Sequence, residues 1–262
     1  MLTSCNPDLA QRIAVGTIQS MIETDIKGIS SMATRLVLEE LVASFQQRSG
    51  LRVVIESVGG VDAAKRVQGG EAFDVVILAS DAIDKLMASG HLLTDSKVDL
   101  MRLGVAVAVR AGAEAPDIAT PAALRSAVLA AHSISYSTGP SGVALARLFE
   151  RWGIADEIKG RIVQAPPGVP VGALVARGEV ELGFQQYSEL MHLDGITVVG
   201  PLPAAIQIIT TFSAGIGIHS RQPEVVRKLL NDMNSAQASP AKIKQGMEPM
   251  QDLQRPLDDP KR

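Results

Sequence analysis

The sequence predicts an α/β fold of two lobes, each an open, mainly parallel sheet flanked by helices, with two crossover strands joining them. Three observations predict it. From Asp25 onward, short apolar runs alternate with segments of helical period. Two strand-like segments, 98–110 and 207–218, are much longer than the others. Five short polar loops stand where a strand hands over to a helix. They are Gly28-Ile29-Ser30-Ser31, Ser57-Val58-Gly59-Gly60, Ala79-Ser80-Asp81, Ser137-Thr138-Gly139-Pro140-Ser141-Gly142 and Gln185-Gln186-Tyr187-Ser188.

The elements follow in order. Residues 1–24 do not match the later pattern and read as a loosely attached leader or short helix. A strand at 26–29 leads to a helix at 31–47, whose Leu38, Leu41, Val42 and Phe45 share a face and which Ser49-Gly50 stops. Strand 51–56 precedes helix 61–68, and the wholly apolar strand 74–78 precedes helix 81–88. The first long strand then crosses to the second lobe. There, helix 121–131, strand 133–137 and helix 142–152 follow, the last with Leu145, Leu148, Phe149 and Trp152 on one face. Strand 161–165 runs into Pro166-Pro167-Gly168, helix 171–177 leads to strand 180–185, and strand 196–199 closes the lobe. The second long strand returns, and helices 222–233 and 238–246 rejoin the first lobe. The expected organisation is a leader 1–24, lobe one at 25–104 plus 210–247, lobe two at 105–209 and an unpacked tail 248–262.

Small hydroxyl residues and glycines at strand-to-helix junctions expose backbone N–H groups at helix N-termini, where anions are stabilised. Ligands of open sheets bind beyond the carboxyl ends of strands. Two lobes aiming those ends at one gap therefore suit a small, multiply negative molecule. Ser30, Ser31, Ser57, Gly59, Gly60 and Ser80 are the binding candidates of the first lobe. Ser137, Thr138, Ser141, Gln185 and Gln186 are those of the second, with Thr210 and Thr211 at the hinge. Each also has a plain reading: Ser30-Ser31 as an N-cap, Gly59-Gly60 as a tight turn, residues 137–142 as a turn with a cap. Paired amides at the end of an apolar strand are costly without partners, which favours a functional role for Gln185 and Gln186.

Composition narrows the ligand. Net charge is −3, aromatic residues are 3% and there is no basic run, so nucleic acid is disfavoured and sugars lack stacking platforms. The single Cys5 cannot form an internal disulfide. No apolar stretch reaches the ~18 to 20 residues of a membrane span. The N-terminus shows no secretory signal, and Leu2-Thr3-Ser4-Cys5 has no export segment before it. A cytoplasmic protein is expected, or a periplasmic one if translation starts elsewhere.

The stretches Gly28-Ile29-Ser30-Ser31-Met32-Ala33, Ser57-Val58-Gly59-Gly60, Lys65-Arg66-Val67-Gln68-Gly69-Gly70, Phe73-Asp74-Val75-Val76-Ile77-Leu78-Ala79-Ser80 and Val175-Ala176-Arg177-Gly178-Glu179-Val180-Glu181-Leu182-Gly183-Phe184 occur in an order and spacing that resembles the type II solute-binding protein fold, closest to its molybdate-binding branch. That branch places a tyrosine where Gln186 stands here. Lys27-Gly28-Ile29-Ser30-Ser31-Met32-Ala33-Thr34-Arg35, Tyr136-Ser137-Thr138-Gly139-Pro140-Ser141-Gly142 and Gly183-Phe184-Gln185-Gln186 are similar to the aconitate isomerase branch of this fold.

The resemblance implies interconversion of trans- and cis-aconitate, a tricarboxylate, by an allylic proton shift in the cleft. Such a shift needs a base, an acid and donors for the charge that spreads into a carboxylate. Glu56, Asp62, Lys27 and Tyr136 are the candidate acid–base residues, and none is singled out by the sequence. No cofactor or metal is implied; His91, His132, His192 and His219 lack ligand spacing. The alternative is a non-catalytic receptor for a molybdate-like oxyanion or small carboxylate.

Overall fold

The computed structural model describes residues 25–165 and 169–250. The leader expected at 1–24, Pro166-Pro167-Gly168 and residues 251–262 lie outside the described residues. In chain order the strands are β1 (Ile26–Ser31), β2 (Val53–Val58), β3 (Val75–Ala79), β4 (Val98–Arg110), β5 (Ile134–Tyr136), β6 (Leu182–Gln186), β7 (Ile196–Pro201), β8 (Ile209–Ile216) and β9 (Glu248–Pro249). The helices are α1 (Arg35–Ser49), α2 (Gly60–Gln68), α3 (Ser80–Ala88), α4 (Pro121–Ala130), α5 (Pro140–Arg151), α6 (Ala155–Ile158), α7 (Val171–Ala176), α8 (Tyr187–Leu190), α9 (Pro223–Met233) and α10 (Ser239–Lys244).

The strands run in the order β2-β1-β3-β8-β4-β6-β5, with β7 and β9 also pairing with β4. Pairing is parallel in β1–β2, β1–β3 and β5–β6, and antiparallel wherever β4 or β8 takes part. The crossing strands therefore turn two parallel cores into one mixed sheet. With 13 residues, β4 is ~43 Å long at the usual rise per residue. Its first half pairs with β8 and its second half with β6 and β7.

Alternation along the strands explains the layers. In β3, Val75 and Ile77 enter one hydrophobic cluster, built with α1 and α9, while Val76 and Leu78 enter another, built with α2 and α3. Both faces are covered, so the whole strand is apolar. The core on one side of β4 runs from Ile26 to Leu103 and from Phe212 to Met247. From Val105 onward the partners change to Leu145, Leu148, Phe149, Phe184 and Leu202. Gln207 clasps this switch: its side chain accepts from the Val105 N–H at 3.1 Å and donates to the Val105 carbonyl at 3.2 Å.

Some expectations change. The 31–47 helix is a 3-10 turn at Met32–Thr34 followed by α1, because Ser31 is extended and caps the turn. The strand expected at 161–165 reduces to a single bridge, Ile134 to Ile162. Residues 248–250 are not an unpacked tail: Pro249 pairs with Met101 and is buried. No helix of the described residues is long and apolar enough to cross a membrane.

Candidate functional site

Each predicted loop sits at the carboxyl end of a strand. Ser30 and Ser31 end β1, Ser57 lies one residue from the end of β2, and Ser80 follows β3. Ser137 and Thr138 follow β5, and Gln185 and Gln186 end β6. The register brings the two sets toward one place. Ala79, the last residue of β3, lies opposite Phe212, while Gln186, the last of β6, lies opposite Val105. Leu103 and Gly104 lie opposite Thr210 and Ile209 on the crossing strands. The strand ends of both lobes thus meet the same few residues of the hinge.

In the first lobe, parallel pairing places Ser30 beside Ser57, and their hydroxyls are 2.8 Å apart. Ser30 is fully buried, and its hydroxyl is satisfied chiefly by Ser57, with a longer bond of 3.4 Å to the Ser31 carbonyl. Ser31 is half-buried; its hydroxyl accepts from the Ala33 N–H at 3.4 Å, and its carbonyl accepts from the Thr34 hydroxyl. Gly60, the first residue of α2, faces it: a Cβ there would stand 3.6 Å from the Ser31 hydroxyl. Gly59 is the cap of α2 and Ser80 opens α3, with no side-chain cap on either helix. Among the described residues their first N–H groups therefore have no side-chain acceptors, and the dipoles of two nine-residue helices point their positive ends at this corner.

The second lobe is built differently. Ser137 and Ser141 hydroxyls are 3.2 Å apart across the start of α5, and Ser141 is buried. Gly142 is required there, because a Cβ would lie 1.6 Å from the Ser137 carbonyl oxygen. Thr138 is exposed. Gln186 is buried; its amide donates to the Thr210 hydroxyl at 2.8 Å, while its Oε1 has no partner among the described residues. Gln185, also buried, accepts the Gly172 N–H at 3.2 Å and donates to Glu189 at 2.9 Å.

Two residues of α8 join the site: Ser188, named in the fifth loop but not among the binding candidates, and Glu189, which the sequence did not single out. Ser188 donates to the Ala33 carbonyl at 2.7 Å and so joins the second lobe to the Ser31 turn of the first. Glu189 is mostly enclosed by protein, and burial pushes its carboxyl up to about 7, with the Gln185 hydrogen bond pulling the other way. The spacing between Gln185 and Glu189, one helical turn across a strand end, was the available signal. Only the fold reveals that burial sets it apart from other glutamates.

The four acid–base candidates are not drawn together. Glu56 is exposed and tied in an ion pair to Arg66, which also holds Glu71; the Arg66 hydrogen bond lowers the Glu56 carboxyl below its usual range. Arg66 in turn lies over the Phe73 ring, on the flank of α2 and away from the anion loops. Asp62 is exposed in the first turn of α2. Lys27 is exposed in the first half of β1, three residues before Ser30; that is ~10 Å along the strand. Tyr136 packs edge-on to Phe149 at 6.0 Å, and burial, then Glu150, raises its hydroxyl. Among the described residues no group of three or more His, Cys, Asp or Glu is arranged to hold a metal.

Comparison with known proteins agrees with this architecture. An aconitate isomerase of a Pseudomonas species is 37% identical over 235 residues, covering 87% of this chain and 88% of that relative. Among solved structures, the periplasmic molybdate-binding protein of Azotobacter vinelandii matches with a TM-score of 0.70 at 20% identity, over 85% of this chain and 98% of that one. The sulfate-binding protein SubI of Mycobacterium tuberculosis matches with a TM-score of 0.71 at 15% identity, over 86% and 87%. At these identities the two structures speak to the fold alone. The model of the bacterial extracellular solute-binding proteins matches residues 26–248, nearly the whole span of paired strands and packed helices. With two lobes, two crossing strands and anion loops at the strand ends, the chain belongs to the bacterial extracellular solute-binding protein family.

Proposed function

We propose that this chain is an aconitate isomerase, interconverting trans- and cis-aconitate in the gap between its lobes. The observation that carries the reading is its likeness to the Pseudomonas aconitate isomerase along nearly the full length of both chains. The site's chemistry supports it. Three carboxylates need many donors, and the strand ends offer hydroxyls, amides and free helix N-termini from both lobes. The cationic candidates turn elsewhere, Lys27 along β1 and Arg66 into its ion pairs. Charge is met chiefly by oriented dipoles, which cost no reorganisation during reaction.

The reaction moves one proton and one double bond. A base takes a proton from the methylene carbon, and that C–H pair forms a new C=C bond. The old double bond opens toward the far carbon, and the charge spreads into the conjugated carboxylate. Protonation of the far carbon completes the shift. Ser30, Ser31, Ser57, Gly59, Gly60 and Ser80 bind one end of the substrate from the first lobe. Ser137, Thr138, Ser141, Gln185 and Gln186 bind from the second, with the unpartnered Gln186 Oε1 accepting from an un-ionised carboxyl or an ordered water.

The family description favours a periplasmic placement over the cytoplasmic one expected from the N-terminus. Proton NMR of trans-aconitate with purified protein tests the activity: conversion to the cis isomer with deuterium entering from D2O is expected, and neither occurring removes the enzyme reading. Melting temperature with aconitate, citrate, molybdate, tungstate and sulfate tests the ligand. A shift with molybdate alone replaces the isomerase with a receptor.

A further inference from the structure

We infer that the carboxyl group of Glu189 carries the proton in this isomerisation, taking it from the methylene carbon and returning it to the far carbon of the same allylic unit. The inference rests on the aconitate reading and names a residue outside the four that the sequence offered.

Placement is the first argument. Glu189 follows the end of β6 by three residues, on the four-residue helix α8. The residue before it, Ser188, is bonded to the Ala33 carbonyl of the Ser31 turn, so Glu189 stands at the seam where the two lobes touch. Orientation is the second. The chain Gly172 N–H to Gln185 Oε1, then Gln185 Nε2 to Glu189 Oε1, has lengths of 3.2 and 2.9 Å. It fixes one carboxyl oxygen by a neutral donor and ties it to the start of α7. A base held by a second group that is itself held is the arrangement proton transfer requires.

The third argument is contrast. Glu56, Glu71 and Glu179 are claimed by arginines, which keep them ionised and weakly basic. Among the described residues Glu189 has no such partner. The elements packed most extensively on α8 are the Met32–Thr34 turn, β4, β6 and β7, and Gly246 lies against Tyr187. The turn, β6, β7 and α7 contain no ionisable side chain. On β4, Asp99 accepts from Ser213, Arg102 pairs with Glu248 and Arg110 lies against Gly178. Further along the chain, His192 bonds Gln245. Burial alone raises the carboxyl, against the Gln185 hydrogen bond, to about 7, where it can both accept and release a proton near neutral pH.

Glu189→Gln and Gln185→Leu test this in the full chain. For Glu189→Gln, turnover of trans-aconitate should fall ~100-fold or more, with deuterium exchange lost in parallel. Aconitate should still raise the melting temperature as it does for the unaltered protein. Gln185→Leu keeps the carboxyl but removes the bond that holds its proton affinity down, so the acid limb of the kcat profile should move to higher pH. Three results overturn the inference: Glu189→Gln turning over within about tenfold of the unaltered protein, its turnover and aconitate affinity falling together, or an unmoved acid limb in Gln185→Leu. If Glu189→Gln does not fold, the Gln185→Leu profile decides. Unaltered protein that converts no trans-aconitate removes the isomerase reading itself, an outcome distinct from an active protein with an active Glu189→Gln.

Discussion

The two lobes present the same kind of strand end and furnish it differently. In the first, polar side chains satisfy each other: Ser30 with Ser57, Ser31 with the backbone of its own turn. What remains free is backbone N–H at the starts of α2 and α3. In the second lobe, side chains are left open among the described residues: Gln186 retains an unpartnered Oε1, and Glu189 is partly buried without a cation. A cradle of neutral donors and a lobe that holds a movable proton are complementary halves of proton-transfer chemistry. The difference suggests that binding leans on the first lobe and chemistry on the second.

Substitutions can break that contrast. The largest effect is expected from Gly142→Ala, since its Cβ would lie 1.6 Å from the Ser137 carbonyl oxygen, backbone that cannot swing away. Overpacking of this kind costs about 1–3 kcal/mol or more. Both melting temperature and turnover should fall; an unchanged melting curve would show that the turn re-forms freely. Next is pH. The native state keeps a proton on Glu189 that the unfolded chain releases near its ordinary value of 4.5. Stability should therefore be greatest below about 4.5 from this group and decline as pH rises toward and past about 7, by on the order of 3 kcal/mol in all. Glu189→Gln should flatten that part of the profile, and an identical slope in both proteins would contradict the buried carboxyl.

Gln186→Leu separates stability from function. It removes an unpartnered buried oxygen but also the bond to Thr210, so melting temperature should change little as the two effects offset, while aconitate affinity drops ~10-fold through the lost polar contact. Lower stability with intact affinity would place Gln186 in the hinge alone. Ser57→Ala should cost about 1 kcal/mol by leaving the buried Ser30 hydroxyl only its long bond to the Ser31 carbonyl, with turnover reduced less than in any second-lobe variant. The smallest effect is expected for Arg66→Ala, whose partners are exposed carboxylates on the flank of α2; a marked loss of aconitate turnover would return Arg66 to the site.

Much of this was legible in the chain itself. The β3 run announced a strand covered on both faces, and α5 showed its buried stripe of Leu145, Leu148 and Phe149 before any coordinates. The serine and glycine loops were legible because strand-to-helix junctions need such residues. The acid–base group was not. Glu56 and Glu189 look alike as letters, and what separates them is an arginine at 2.8 Å in one case and enclosure in the other.

Local sequence determined the elements, their order and the polar ends of the strands, because propensity, capping and periodicity act over a few residues. Tertiary structure alone decided that Ser30 would meet Ser57 and that Gln186 would reach Thr210. It also decided that Ser188 would close on Ala33 and that Glu189 would be largely enclosed. Those are contacts between residues 24 to 155 positions apart, and a burial, that exist only once the crossing strands fold two lobes onto one hinge. Desolvation is a property of the assembled surroundings, so no window of sequence encodes it.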